Sequence, residues 1–150
     1  SLKIISLEGL TKLKTIGSYF LYNCNSLESI NLSSLNSVEK IDEGFLHNCH
    51  SLESINLNGL TKLEIISARF LYDCNNLINI DLSSLNNLKQ IGKWFLYNNT
   101  KLISINLSGL NNLEIIGNKF LIKCTSLQQV IYDKKNKIIK ARVPVIKNII

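Results

Sequence analysis

The sequence predicts an α/β solenoid: a right-handed stack of coils with short parallel strands, a 25-residue period and few helices. Three observations carry this. Phe20, Phe45, Phe70, Phe95 and Phe120 fall 25 residues apart without an insertion or deletion. The apolar residues at repeat positions 2, 5, 7, 10, 13, 16, 20 and 21 fit neither a sustained helical period nor one long alternating strand. A single unit of this kind encloses no core, but coils stacked at the roughly 4.8 Å spacing of neighbouring strands turn every apolar position into a continuous ladder.

Taken in order, the repeats are 1–25, 26–50, 51–75, 76–100 and 101–125, followed by a degenerate sixth unit at 126–150. Each opens on a stretch such as "LESINL", whose I-x-L ending is the period-two mark of a short strand; Ile30 and Leu32 point inward, Ser29 and Asn31 outward. A second extended run follows, "VEKID" in repeat two and "LEIIS" in repeat three. The Phe segment, as in "GKWFLYNN", is bulky without alternation and reads as one tight helical or 3₁₀ turn. A 50-residue rhythm overlies the array, since Gly9, Ser34, Gly59, Ser84 and Gly109 alternate. The regular array spans 1–132. The remainder, 133–150, is a basic C-terminal cap or degenerate repeat, in which alternating Ile, Val and Lys suit a last strand or cover over the open end of the core.

Composition excludes several classes. The net charge of +6 is local: residues 1–132 carry 11 basic and 10 acidic side chains, and the tail sets six basic residues against Asp133. With no aromatic interleaving for base stacking, the tail does not point to nucleic acid. No apolar run approaches the roughly 20 residues of a membrane-spanning helix, and no amphipathic helical pattern suits insertion. The N-terminal "SLKIISLEGL" lacks the zones of a signal peptide, although the chain has no Met and begins in repeat register, as a stretch of something longer does.

The pattern L-x-x-I-x-L followed by I-x-x-x-F-L-x-x-C-x-x-L resembles the leucine-rich repeat superfamily and, within it, the BspA-like (Treponema-type) class. "FLYNCNSLESINL" at 20–32 and "FLHNCHSLESINL" at 45–57 carry the resemblance most clearly, and it extends from residue 1 to about 132. Many members of that class have slightly shorter repeats with a proline after the strand, whereas the one proline here is Pro144. The resemblance implies a leucine-rich repeat coil and a surface or secreted adhesin that engages host proteins or other cells.

Cys24, Cys49, Cys74, Asn99 and Cys124 form one column. Leucine-rich repeats place Asn or Cys at a turn where a small side chain sits among backbone groups left unpaired by the bend. Asn supplies a donor and an acceptor, and Cys tolerates burial as a small hydrophobe with a weak donor. Asn99 shows that thiol chemistry is not required, so Cys74→Asn is expected to be close to neutral. Side chains in a parallel ladder sit about 4.8 Å apart at Cβ where a disulfide wants about 3.8 Å, so free thiols are expected. "HNCH" offers His47, Cys49 and His50, but histidine occurs in one repeat alone, and His47 stands in a column with Tyr22, Tyr72, Tyr97 and Ile122. Neither metal nor cofactor is expected.

No phosphate loop, nucleophile elbow, zinc-protease helix or oriented Cys-His pair is present, and the expectation is a non-enzyme. The neighbouring carboxylates Glu28/Glu53 and Glu39/Glu64 are the one arrangement able to raise a pKa, and they equally suit exposed residues copied by duplication. Two outward grids remain for binding protein or glycan. The first strand presents Ser29, Asn31, Ser54, Asn56, Asn79, Asp81, Ser104 and Asn106; the second strand is expected to present Tyr19, Lys40, Glu43, Ile65, Arg69, Gln90, Lys93, Trp94, Ile115 and Lys119. From these, Trp94, Arg69, Tyr19, Lys93, Asn31, Asn56, Asp81 and Asn106 are the candidate binding residues, because Trp, Tyr and Arg dominate interface energy. A cytoplasmic interaction scaffold is the alternative to a surface adhesin, favoured by four unpaired cysteines. The uncapped N-terminal edge offers a surface for self-association.

Overall fold

The computed structural model describes residues 3–144 and the strand at 148–149. The parts of the expected first repeat at 1–2 and of the expected tail at 145–147 and 150 lie outside the described residues. The elements are β1 (Thr15–Ile16), β2 (Ser29–Asn31), β3 (Lys40–Ile41), β4 (Ser54–Asn56), β5 (Ile65–Ile66), β6 (Asn79–Asp81), β7 (Gln90–Ile91), β8 (Ser104–Asn106), β9 (Ile115–Ile116), β10 (Gln129–Ile131), α1 (Lys137–Lys140) and β11 (Asn148–Ile149). Repeats two to five each contribute one strand to each of two faces, the first contributes β1 alone among the described residues, and almost no helix forms.

The odd strands β1 to β9 build one five-stranded parallel sheet. The opposite face holds β2 beside β4, then a four-stranded sheet in the order β6, β8, β10, β11. Register is one whole repeat from β1 to β10, with Ile41 beside Ile16 and Ile105 beside Ile80, and shortens at the C-terminal end, where Asn148 of β11 pairs with Gln129. The even face is interrupted between β4 and β6. Glu53 N–H donates to the Glu28 carbonyl and Ile103 N–H to that of Ile78, but among the described residues no such bond runs from Ile78 to Glu53. Beside this break Ile55 is half-buried, whereas Ile80 and Ile105 in its column are buried.

The core is the sum of the apolar columns. Leu27, Leu52, Leu77 and Leu102 are fully buried, and the Phe rings stack coil on coil at 6.1, 5.3, 5.3 and 5.5 Å between centroids. The 50-residue rhythm has a steric cause. A Cβ on Gly59 or Gly109 would overlap the backbone carbonyl of Ser33 or Ser83 in the preceding coil. Serine stands at this position in the alternate coils, as Ser34 and Ser84, and the Ser34 hydroxyl donates to the Leu7 carbonyl at 3.1 Å.

The Phe segment differs from the expected helical or 3₁₀ turn. Positions 19, 21 and 23 of all five repeats have positive φ, from Tyr19 (56°), Leu21 (58°) and Asn23 (56°) to Lys119 (66°), Leu121 (55°) and Lys123 (64°). A residue in the left-handed region at every second position cannot continue a right-handed turn, and each non-glycine there costs about 1–2 kcal/mol. The compensation is a third ladder of hydrogen bonds between coils. Tyr19, Gly44, Arg69 and Trp94 donate forward to Glu43, Ala68, Lys93 and Asn118 at 2.7–2.9 Å. Leu46, Leu71, Leu96 and Leu121 donate backward to the preceding Phe carbonyls at 3.0–3.1 Å. Asn23, Asn48, Asp73 and Asn98 then donate forward again, each at 2.9 Å. The coil therefore has three hydrogen-bonded faces.

The C-terminal unit closes the odd face. Where a sixth odd strand would lie, α1 packs against β9 with Ile139 buried; the Asn136 side chain accepts from Ile139 N–H at 3.0 Å and donates to the Leu110 carbonyl at 3.1 Å. The expected cover over the core end is thus a short helix on this face and a strand, β11, on the other.

Candidate functional site

The third face gathers the candidate residues. Position 19 turns its side chain outward because a left-handed residue there reverses the chain between the inward-facing residues Ile41 or Ile66 and the buried Phe45 or Phe70. Gly44 fills this position in the second coil; its φ is +76° and a Cβ would overlap the Tyr19 ring, so the glycine lets that ring lie across the coil toward the third. The Arg69 guanidinium is within 3.5 Å of the Tyr19 hydroxyl and ion-paired with Glu43. It also lies 4.8 Å from the centre of the Trp94 ring, and the Lys93 ammonium lies 4.6 Å from it. Tyr19, Arg69, Trp94 and Lys93 are thus one connected cluster over four coils, with cation–π attraction holding its charged groups. The sequence placed them on the second strand. They stand instead on the separate third face, while Lys40, Ile65, Gln90 and Ile115 belong to the odd sheet.

Beside the cluster runs an aromatic column that is not among the residues expected to bind. Tyr22 meets His47 edge-on at 5.2 Å, His47 tilts against Tyr72 at 4.6 Å, and Tyr72 stacks on Tyr97 at 4.9 Å. Tyr19 joins it edge-on to Tyr22 at 5.7 Å, and the Lys123 ammonium lies 5.4 Å from the Tyr97 ring centre. The signal was visible as Tyr, His, Tyr, Tyr at 25-residue spacing. His47 Nδ1 has no hydrogen-bond partner, and burial, reinforced by Arg69, holds the imidazole pKa below its ordinary value.

The even-face candidates have another task. The side-chain oxygens of Asn31, Asn56, Asp81 and Asn106 each accept the N–H two residues on, from Ser33, Asn58, Ser83 and Ser108, at 2.8–3.1 Å. These are Asx turns that end each strand. With those oxygens engaged, the column offers a ligand less than its composition suggests.

The cysteine column is a set of donors. Cys49, Cys74 and Cys124 direct Sγ at the carbonyls of Leu21, Leu46 and Leu96 in the preceding coil at 3.0–3.1 Å, and Asn99 Nδ2 meets that of Leu71 at 2.8 Å. Cys24, in the first described coil, has a 3.9 Å contact to Tyr22 instead. All four thiols are free. Burial pushes Cys49 up to about 12 and Cys124 to about 11, and raises Cys74 well above its ordinary value, so all three stay protonated and unreactive. Asparagine is not an equal substitute, because Asn99 is fully buried and its Oδ1 has no partner.

Lysines neutralise one carboxylate of the Glu28/Glu53 pair and both of the Glu39/Glu64 pair. Glu28 pairs with Lys3 at 2.8 Å, Glu39 with Lys14 at 2.6 Å and Glu64 with Lys89 at 2.9 Å. The Lys14 hydrogen bond lowers the Glu39 pKa, opposite to the rise that a general acid would need. Among the described residues no three His, Cys, Asp or Glu side chains converge as a metal site, and no helix is long and apolar enough to cross a membrane.

No curated protein matches the chain. Among solved structures it is similar to the leucine rich repeat protein of T. pallidum (TpLRR), at 19% identity and a TM-score of 0.46 over 83% of this chain and 76% of that one. It is also similar to a leucine-rich repeat protein from Bacteroides ovatus, at 18% identity and a TM-score of 0.28 over 80% of this chain and 59% of that one. The sequence profile of the BspA type leucine rich repeat region matches residues 14–143 in six copies. That match spans both strand columns, the Phe segment and the cysteine column, and on it the chain belongs to the BspA type leucine rich repeat family.

Proposed function

We propose that this chain is a non-catalytic recognition scaffold of a surface or secreted adhesin, gripping a protein or glycan ligand on its third face. The observation that carries the reading is the connected cluster of Tyr19, Arg69, Trp94 and Lys93, held on a backbone hydrogen-bonded coil to coil. A rigid grid of this kind meets a ligand without an ordering cost, and its Trp, Tyr and Arg side chains are the types that dominate binding energy. Membership of a repeat-scaffold family supports the reading, as does the capture of neighbouring carboxylates by lysines.

A cytoplasmic interaction scaffold is the second reading, favoured by four cysteines that remain thiols. The test is binding of the chain to immobilised extracellular-matrix proteins and glycans, with Trp94→Ala and Asn56→Ala in parallel. Saturable binding weakened at least tenfold by Trp94→Ala and unchanged by Asn56→Ala supports the third face. Loss with Asn56→Ala alone moves the site to the even face. Binding to no extracellular component shifts the weight to the cytoplasmic scaffold.

A further inference from the structure

Charge on the third face is segregated along the solenoid. Toward the N-terminal end the carboxylates are Glu43, ion-paired with Arg69, and Asp73, which accepts from Asn98 Nδ2 at 2.7 Å. Toward the C-terminal end Lys93, Lys119, Lys123 and Arg142 come from three successive coils, and Arg142 is drawn over this face by a 3.4 Å contact to Asn118. The ion pairs of the described residues join Lys3, Lys14, Lys40, Arg69 and Lys89 to carboxylates, and none involves these four cations. Trp94 and Tyr97 lie among them, each beneath a lysine ammonium.

We propose that this patch of Lys93, Trp94, Tyr97, Lys119, Lys123 and Arg142 binds an anionic glycan chain, carboxylated or sulfated; the proposal rests on the third face being the binding surface. Its cations are carried by three adjoining coils about 4.8 Å apart and are offset across the face rather than set in one column, a broad basic surface suited to a linear polymer with closely spaced anions. Tyr72 and Tyr97, both half-buried, stack face to face at the edge of the patch, and a tyrosine hydroxyl can exchange hydrogen bonds with sugar hydroxyls. An anchoring protein side chain would want a desolvated pocket; the cavity at Ile4–Ile55 lies away from the patch, and the one between β9 and α1 meets it at Arg142 alone.

The test is titration of the chain with a heparin oligosaccharide, a hyaluronan oligosaccharide, neutral dextran, polyglutamate and a single-stranded oligonucleotide. Saturable binding to heparin or hyaluronan is expected, weakened by added salt and absent for dextran. It should fall at least tenfold in the Lys119→Ala/Lys123→Ala double variant and stay within twofold in the charge-matched Lys12→Ala/Lys62→Ala variant. Circular dichroism establishes that both variants fold, and Lys93→Ala provides an independent third-face readout. Binding to neither anionic glycan, equal loss in both double variants, or equally tight binding of polyglutamate or the oligonucleotide would overturn the proposal. A Trp94-dependent ligand on the matrix array that survives such a failure leaves the proposed function standing without this ligand class.

Discussion

Exchanging Asn99 for cysteine tests how the inter-coil column works. Asn99 keeps the hydrogen bond to the Leu71 carbonyl at 2.8 Å but buries Oδ1 without a partner, whereas Cys74 one coil earlier makes the equivalent donation and buries no acceptor. An unsatisfied buried acceptor costs about 1–3 kcal/mol, and a typical amide hydrogen bond is worth about 1 kcal/mol net, part of which the weaker thiol donor forfeits. Asn99→Cys should therefore stabilise the fold by about 1 kcal/mol, and Cys74→Asn should destabilise it by about the same. For a chain of this size that is a shift of about 2–4 °C in Tm. The assay is urea unfolding followed by circular dichroism and by Trp94 fluorescence, with a reductant present to keep the thiols free. Destabilisation by Asn99→Cys would refute the reasoning, since it would mean that Oδ1 is satisfied and that asparagine is the better donor in this coil.

Other consequences are as direct. Phe70, 1% exposed between two stacked rings, should cost about 3–5 kcal/mol on truncation to Ala, read from the same unfolding curves. Gly59→Ser should destabilise by about 1–3 kcal/mol although serine stands in the same column at 34 and 84, because its Cβ meets the Ser33 carbonyl; Ser84→Gly, which removes an unpartnered buried hydroxyl, should be much milder. His47 is held neutral in the fold, so the unfolded chain takes up its proton at the higher pH and stability falls as pH drops through about 6.5. Glu43, Asp73, Arg69 and His50 surround that ring. His47→Tyr, which restores the column residue of the neighbouring coils, should flatten the unfolding midpoint between pH 7 and 5; an unchanged slope would assign it to other groups.

The repeat, both strand columns and their register were legible because burial on one side of a strand imposes a period of two, and a stack without insertions repeats it every 25 residues. The third ladder was not, because its left-handed residues carry no hydropathy pattern. Leu21, Arg69 and Trp94 are not types that announce positive φ; Asn23, Asn48, Asp73, Asn98 and Gly44 are, and they were the available signal. Tyr19, Arg69, Lys93 and Trp94 were found by aligning columns, which shows who neighbours whom but not which face they share. Asn31, Asn56, Asp81 and Asn106 looked like a ligand grid because an Asx turn and a free polar surface have the same composition; the distance from each side chain to the N–H two residues on separates them. The column of Cys24, Cys49, Cys74, Asn99 and Cys124 is visible in the sequence, but the orphaned oxygen of Asn99 depends on a burial that residue type alone does not reveal.

The measurement that bears most directly on the third face as the binding surface is an amide hydrogen-exchange footprint of the chain with a saturating ligand from the matrix or glycan array. Protection is expected at residues 93–97 and 118–123, with the even-face strands β4, β6 and β8 unchanged. Protection along β4, β6 and β8 with none in the third ladder would contradict it.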